Sequence, residues 1–168
     1  HYPWQMTLGA IEHDQLIYKM GVDIGKQLKR IGVNVNFAPV VDVNNNPNNP
    51  VINARSFGES KERVARKGIA YMKGMQSQGV LATAKHFPGH GDTDSDSHKT
   101  LPIIKHNKER IEDLELYPFN ALIDQGVGAI MSAHLYLPAY TGKEEIASSL
   151  SKSVIDTLLR QQIGYQGL

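Results

Sequence analysis

The chain contains no cysteine. Disulfides, thiolate nucleophiles and cysteine-ligated zinc are therefore excluded, and the redox compartment stays open. No apolar run approaches the roughly 20 residues needed to span a bilayer. The opening HYPWQMTLGA lacks the basic-then-apolar order of a secretory leader. Neither charge is in excess: 18 basic side chains stand against 17 acidic ones. A balance of that kind supplies no field to steer the protein toward nucleic acid or an anionic membrane. What remains is a hydrophobic fraction of 40% in 168 residues, enough for the core of one ordinary domain.

The pattern along the chain alternates strand and helix. Apolar residues at Leu16, Ile17, Met20, Ile24 and Leu28 have helical spacing and predict a helix over 14–30, with Gly32 after its end. VNVNFAPVVDV, 33–43, reads as a β-rich segment, and NNNPNNP after it reads as loop. Ser60 is a candidate cap for a helix reaching about residue 78, where Gly79 ends it. VLATAKHF (80–87) and VGAIMSAHL (127–135) read as buried strands. Between them Asn107 is a candidate cap for a helix that Pro118 kinks or divides. A last helix is expected over 150–164, and GYQGL then resembles the opening of a fourth strand.

Near-continuous apolar strands separated by helices predict an α/β fold with a parallel sheet covered on both faces. Asp42, Lys85, His86 and His134 all close a strand. Clustering there suits a (β/α)8 barrel, whose sites form at that face, and equally a doubly wound sheet. As a barrel, which needs roughly 250 residues, the chain is expected to be incomplete at both ends.

The densest chemistry lies in KHFPGHGDTDSDSH, 85–98. Asp92, Asp94 and Asp96 alternate like the start of a calcium loop, but Ser97 and Ile103 stand where that loop needs glycine and glutamate. His86 and His90 have the spacing of helical metal ligands, yet Pro88 and Gly89 between them disfavour a helix. GHGDT has neither the length nor the GK[ST] ending of a phosphate loop. Acid–base chemistry fits better. Asp96 two residues before His98 can accept from one ring nitrogen, fix the tautomer and aim the other nitrogen at a substrate. The bland alternative is a turn cap beside a solvated histidine.

KHFPGHGDT followed by DSH resembles the glycoside hydrolase family 3 β-N-acetylglucosaminidases, the NagZ-like group. VNFAPVVDVN, NARSFGES, GVGAIMSAHL and IGYQGL resemble other segments of that family, so the resemblance runs from about Trp4 to Leu168. It implies that 1–168 is part of an N-terminal (β/α)8 barrel domain. It implies a retaining exo-enzyme releasing terminal β-N-acetylglucosamine from carbohydrates such as cell-wall muropeptide fragments. It implies His98 as general acid/base with Asp96 as partner, and Arg55, Lys85 and His86 holding sugar hydroxyls. His134 is expected to line the same pocket. Asp42 is read instead as a cap of the Asn-rich turn after it. The loop 88–100 is expected to move, with Gly89 and Gly91 as its freedom.

No cofactor and no metal are implied. The resemblance puts the nucleophilic aspartate just after the GYxGL-like segment and another sugar-binding aspartate before residue 1. The 168 residues alone are therefore expected not to turn over substrate, the rest of the barrel coming from the parent chain. A family 3 β-glucosidase-like enzyme and a catalytically dead sugar-binding module are the alternatives. Sequence leaves the compartment open.

Overall fold

The computed structural model describes residues 2–94 and 101–168. One short helix and one long one open the chain: α1 is Gln5–Gly9 and α2 is Asp14–Arg30. The second is the helix predicted from the apolar spacing, and Ile17 and Met20 are its buried stripe. Strand β1 is only Val35–Asn36. Helix α3, Lys61–Gln76, starts where Ser60 accepts from the backbone N–H of Arg63, as a cap should. Strand β2 is Leu81–Phe87. Helix α4, Lys108–Arg110, is capped by Asn107 and widens into a π-helical segment, Ile111–Glu115. Helix α5, Tyr117–Asp124, carries Pro118 in its first turn, so the predicted long helix is divided there. Strand β3 is Ala129–Ser132, α6 is Pro138–Thr141, a 3-10 turn covers Ser148–Leu150, and Ser153–Gln162 is a second π-type segment.

The three strands form a parallel sheet in the order β1-β2-β3. Asn36 pairs with Ala82, and Thr83 with Ala129. The segment predicted as a strand over 33–43 keeps ladder geometry only at its start, then continues beside β2 in a different register. Val40 pairs with Lys85, one residue out of step with Asn36–Ala82. The cause is local. Pro39 has no N–H to give, so it serves only as an acceptor from Lys85 N at 3.2 Å, and the chain bulges around it. The bulge delivers Val41 and Asp42 to the end of the sheet beside β2.

Leu168 donates to Gly128 O at 3.2 Å and accepts from Ile130 N at 2.9 Å. That alternation is a parallel ladder, so the chain at 168 lies against β3 as the fourth-strand reading expects. Helices α3 and α5 pack on each other and on β2, and α3 packs on α2. The α2–α3 approach is close enough that a Cβ on Gly74 would stand 2.3 Å from Tyr18 O. Phe87 and Phe119 meet edge to face, centroids 5.4 Å apart, in the core between β2 and α5. Lys67 is wholly buried in α3 and paired with Asp14 of α2 at 2.7 Å. Among the described residues no helix is long and apolar enough to cross a membrane.

Candidate active site

Asp42 is fully buried at the end of the bulged segment. Its Oδ1 accepts from the backbone N–H groups of His86 at 3.1 Å and His90 at 2.8 Å. Its Oδ2 accepts from His86 Nδ1 at 2.8 Å. Asp42 therefore does not cap the Asn-rich turn; that expectation fails because its partners lie 44 and 48 residues away. The turn is instead organised by asparagines: Asn46 Oδ1 accepts from Asn48 N, and Asn49 Oδ1 from Val51 and Ile52 N. Burial by itself would raise the Asp42 carboxyl. The hydrogen bond from the His86 ring, with those from the two backbone N–H groups, outweighs it and holds the carboxyl below the ordinary carboxylate range.

His86, at the end of β2, turns its other ring nitrogen toward Arg55. Nε2 lies 3.4 Å from Arg55 Nη2. Arg55 closes a 3-10 turn, Asn53–Arg55, and its Nη1 donates to Val51 O at 3.0 Å. The two side chains, 31 residues apart in sequence, are thus brought together by the fold. They share a cavity of about 310 Å³ with His90, His134, Met131 and Ser132. His134 is the exposed wall of that cavity, its Nδ1 2.6 Å from Ser149 Oγ. Ser148 beside it is buried and donates to Ala133 O at 2.6 Å, which ties the 3-10 turn to the end of β3. Lys85 does not line the cavity. It stands half-buried beside it; burial first, then repulsion by Arg55, pushes its ammonium down, and the Asp42 carboxylate opposes them.

The sequence marks His90 only as a candidate metal ligand. It is buried, its Nδ1 is 2.7 Å from Thr93 Oγ1, and burial keeps its imidazole below the ordinary histidine value. Asn49 Nδ2 donates to His90 O at 2.8 Å and Gly91 O at 3.0 Å, and Asn46 Nδ2 to Thr93 O at 3.2 Å. The beginning of the loop expected to move is thus a buried, hydrogen-bonded turn. Its glycines answer to space: a Cβ on Gly91 would lie 1.8 Å from Val43 O, and one on Gly89, at φ +127°, would lie 2.7 Å from Glu115 Cβ. Asp92 is joined to His106, and Asp94 is exposed. Asp96 and His98, the predicted acid/base pair, lie outside the described residues.

The described site can therefore hold oxygen atoms with a guanidinium, imidazoles and a nearby ammonium. Among the described residues no carboxylate lines its cavity.

Known proteins agree with this architecture. The family described as the N terminal domain of glycosyl hydrolase family 3 matches residues 1–168. Beta-hexosaminidase A of Pseudoalteromonas piscicida is 43% identical over 176 residues, which span 97% of this chain and 29% of that protein. A β-N-acetylglucosaminidase/β-glucosidase of Cellulomonas fimi is 31% identical over 176 residues, spanning 100% of this chain and 31% of that one. The solved family 3 β-N-acetylglucosaminidase from Paenibacillus sp. str. FPU-7 superposes with a TM-score of 0.95 at 48% identity, over 98% of this chain and 31% of that chain. The chain spans about a third of the length of these relatives. With its parallel strands, crossover helices and the TIM-barrel-like architecture of these neighbours, the chain belongs to glycosyl hydrolase family 3 and matches its N-terminal domain.

Proposed function

We propose that this chain is one portion of a retaining exo-β-N-acetylglucosaminidase, the portion that binds the terminal sugar and supplies the proton transfer. The observation that carries the reading is the meeting of Arg55 and His86 at 3.4 Å on a cavity at the ends of the parallel strands. In this family's architecture that end is where sites form. Arg55, Lys85, His86 and His134 hold the sugar's oxygen atoms. His98, paired with Asp96, gives its proton to the departing glycosidic oxygen in the first step. In the second step it takes a proton from the attacking water. A carboxylate from the remaining part of the barrel attacks the anomeric carbon and leaves it when water enters. The 168 residues by themselves lack that carboxylate and do not turn over substrate. Muropeptide fragments, which carry terminal β-N-acetylglucosamine, are the natural substrate class of this reading.

A second reading, a β-glucosidase-like enzyme, is favoured by the relative from Cellulomonas fimi, whose name joins both activities. The test is kcat/KM of the full-length protein on 4-nitrophenyl β-N-acetylglucosaminide and β-glucoside, with His98→Gln beside the wild type. Preference for the N-acetylglucosaminide and a loss of about 10²–10⁴-fold in His98→Gln support the first reading. Preference for the glucoside assigns the second. Binding of N-acetylglucosamine without turnover of either glycoside assigns a dead sugar-binding module.

A further inference from the structure

Asp42 is assigned to neither step of that reaction, yet it is fully buried beside the cavity and its three side-chain hydrogen bonds all go to His86 and His90. We infer that Asp42 is a positioning residue that sets the polarity of the sugar site through the tautomer of His86. The group bound between His86 and Arg55 is then a hydroxyl, donating to one and accepting from the other. The second half of this inference rests on the sugar-binding reading above.

A carboxylate only accepts, so at 2.8 Å the proton between Asp42 Oδ2 and His86 Nδ1 belongs to Nδ1. A guanidinium only donates, so Nε2, 3.4 Å from Arg55 Nη2, faces it with a lone pair. Both neighbours demand the same neutral tautomer, with Nδ1–H and a bare Nε2. At 3.4 Å the Arg55–His86 contact is at the long end of hydrogen bonding. An oxygen entering between them gains by accepting from the guanidinium and donating to Nε2. A hydroxyl does both. A fluorine, an ether or a carbonyl oxygen only accepts, and leaves the buried face of His86 unpaired.

Asp42→Asn inverts this polarity by a constraint already in place. Oδ1 accepts from two backbone N–H groups, at 3.1 Å from His86 and 2.8 Å from His90. Neither donor can reverse, so the amide oxygen of the asparagine takes that position. Its NH₂ group then falls opposite His86 Nδ1 and donates to it, and the ring proton moves to Nε2.

The experiment has two parts on the full-length protein. Long-range proton–nitrogen correlation spectra of ¹⁵N-histidine protein, with His86 assigned by substitution, report which ring nitrogen carries hydrogen. The expected wild-type result is Nδ1–H; an Nε2–H ring overturns the inference. Deoxyfluoro analogues of 4-nitrophenyl β-N-acetylglucosaminide, fluorinated in turn at the 3, 4 and 6 positions, give kcat/KM relative to the parent sugar. One position is expected to lose at least about 10-fold in the wild type, and that ratio is expected to shrink in Asp42→Asn. A merely structural role for Asp42 would lower all substrates together and leave the ratios fixed, which also overturns the inference. If Asp42→Asn does not fold, the wild-type tautomer and fluorine ratios still decide. If the wild type acts on no N-acetylglucosaminide, the proposed function fails, and the tautomer alone decides the role of Asp42.

Discussion

His106 donates from Nε2 to the Asp92 carboxylate, and this contact joins the buried turn after β2 to the residues that lead into α4. The pair connects two places that are already fixed by other means. Asn49 and Asn46 hold the turn, while Ile104 donates to Tyr136 O at 3.0 Å and Tyr136 to Pro102 O at 2.8 Å. Their side chains remain 40% and 21% exposed. Water and salt therefore screen the charges, and such pairs contribute about 1 kcal/mol or less. His106→Gln is expected to lower stability by less than about 1 kcal/mol, with the difference narrowing in high salt. Urea unfolding of the two proteins at low and high salt measures it. A loss above about 2 kcal/mol would show that the pair is shielded in a way its exposure does not suggest.

Gly91 is a sharper case. Its hypothetical Cβ lies 1.8 Å from Val43 O and 2.6 Å from Val43 C, which are backbone atoms with no side-chain freedom to yield. Gly91→Ala must displace either the His90–Thr93 turn or the bulged segment that carries Asp42. We expect a cost of about 3 kcal/mol or more. Gly32→Ala supplies the comparison, since nothing lies within 4 Å of a Cβ there and only its φ of +78° opposes the substitution. Thermal unfolding should separate the two variants clearly. Equal shifts in Tm would mean that the turn gives way more easily than its packing implies.

Much of the fold was legible because its signals are local. Ser60 and Asn107 each cap the helix that follows them, and Pro118 sits where the long helical pattern divides. The buried strands were legible from their apolar runs, although β3 keeps only Ala129–Ser132 of its predicted length. The segment 33–43 was harder, because one proline changes its register without removing its apolar character. The π-type hydrogen bonding of Ser153–Gln162 cannot be told from an α-helix by apolar spacing. In the site, Arg55, His86 and His134 line one cavity, and Lys85 stands beside it. The role of Asp42 and the presence of Asn49 escape the sequence for one physical reason: their partners are chosen by tertiary packing. Asp42 reaches residues 44 and 48 places away, and Asn49 residues 41 and 42 places away. The available signal was a carboxylate closing an apolar strand, where burial demands partners.

Acid should unfold this region in stages. The folded His90 imidazole and the folded Asp42 carboxyl both lie below their ordinary values. In each case the unfolded chain binds a proton more readily, and stability then rises with pH. The contribution of His90 is lost as pH falls from about 6.5 through its lower folded value. That of Asp42 is lost as pH falls from about 3.9 through a folded value lower still. Glu115 acts oppositely: burial outweighs its bond to Arg110 and raises its carboxyl, so ionising it costs stability as pH climbs from about 4.3. His90→Asn is therefore expected to flatten the dependence of the urea midpoint on pH between neutral and about 5, leaving the more acidic stage in place. An unchanged slope in that window would remove His90 from the account.

Lys85 offers a test in the alkaline range. Burial, and after it the Arg55 guanidinium, holds its ammonium below the ordinary lysine value despite the Asp42 carboxylate. If the ammonium holds sugar oxygens, its contribution exists only while it is charged. That contribution disappears as pH rises, and it does so earlier than for a lysine in water. The pH dependence of kcat/KM reports groups of the free enzyme, so the alkaline limb of the full-length protein should carry this titration. Lys85→Arg keeps the charge to far higher pH, and its alkaline limb is expected to move outward even though the fork geometry of arginine lowers the plateau. Lys85→Met removes the charged donor and is expected to cost about 10- to 100-fold in kcat/KM, leaving no limb from this group. Identical alkaline limbs in wild type and Lys85→Arg would show that Lys85 stands beside the cavity without taking part in binding.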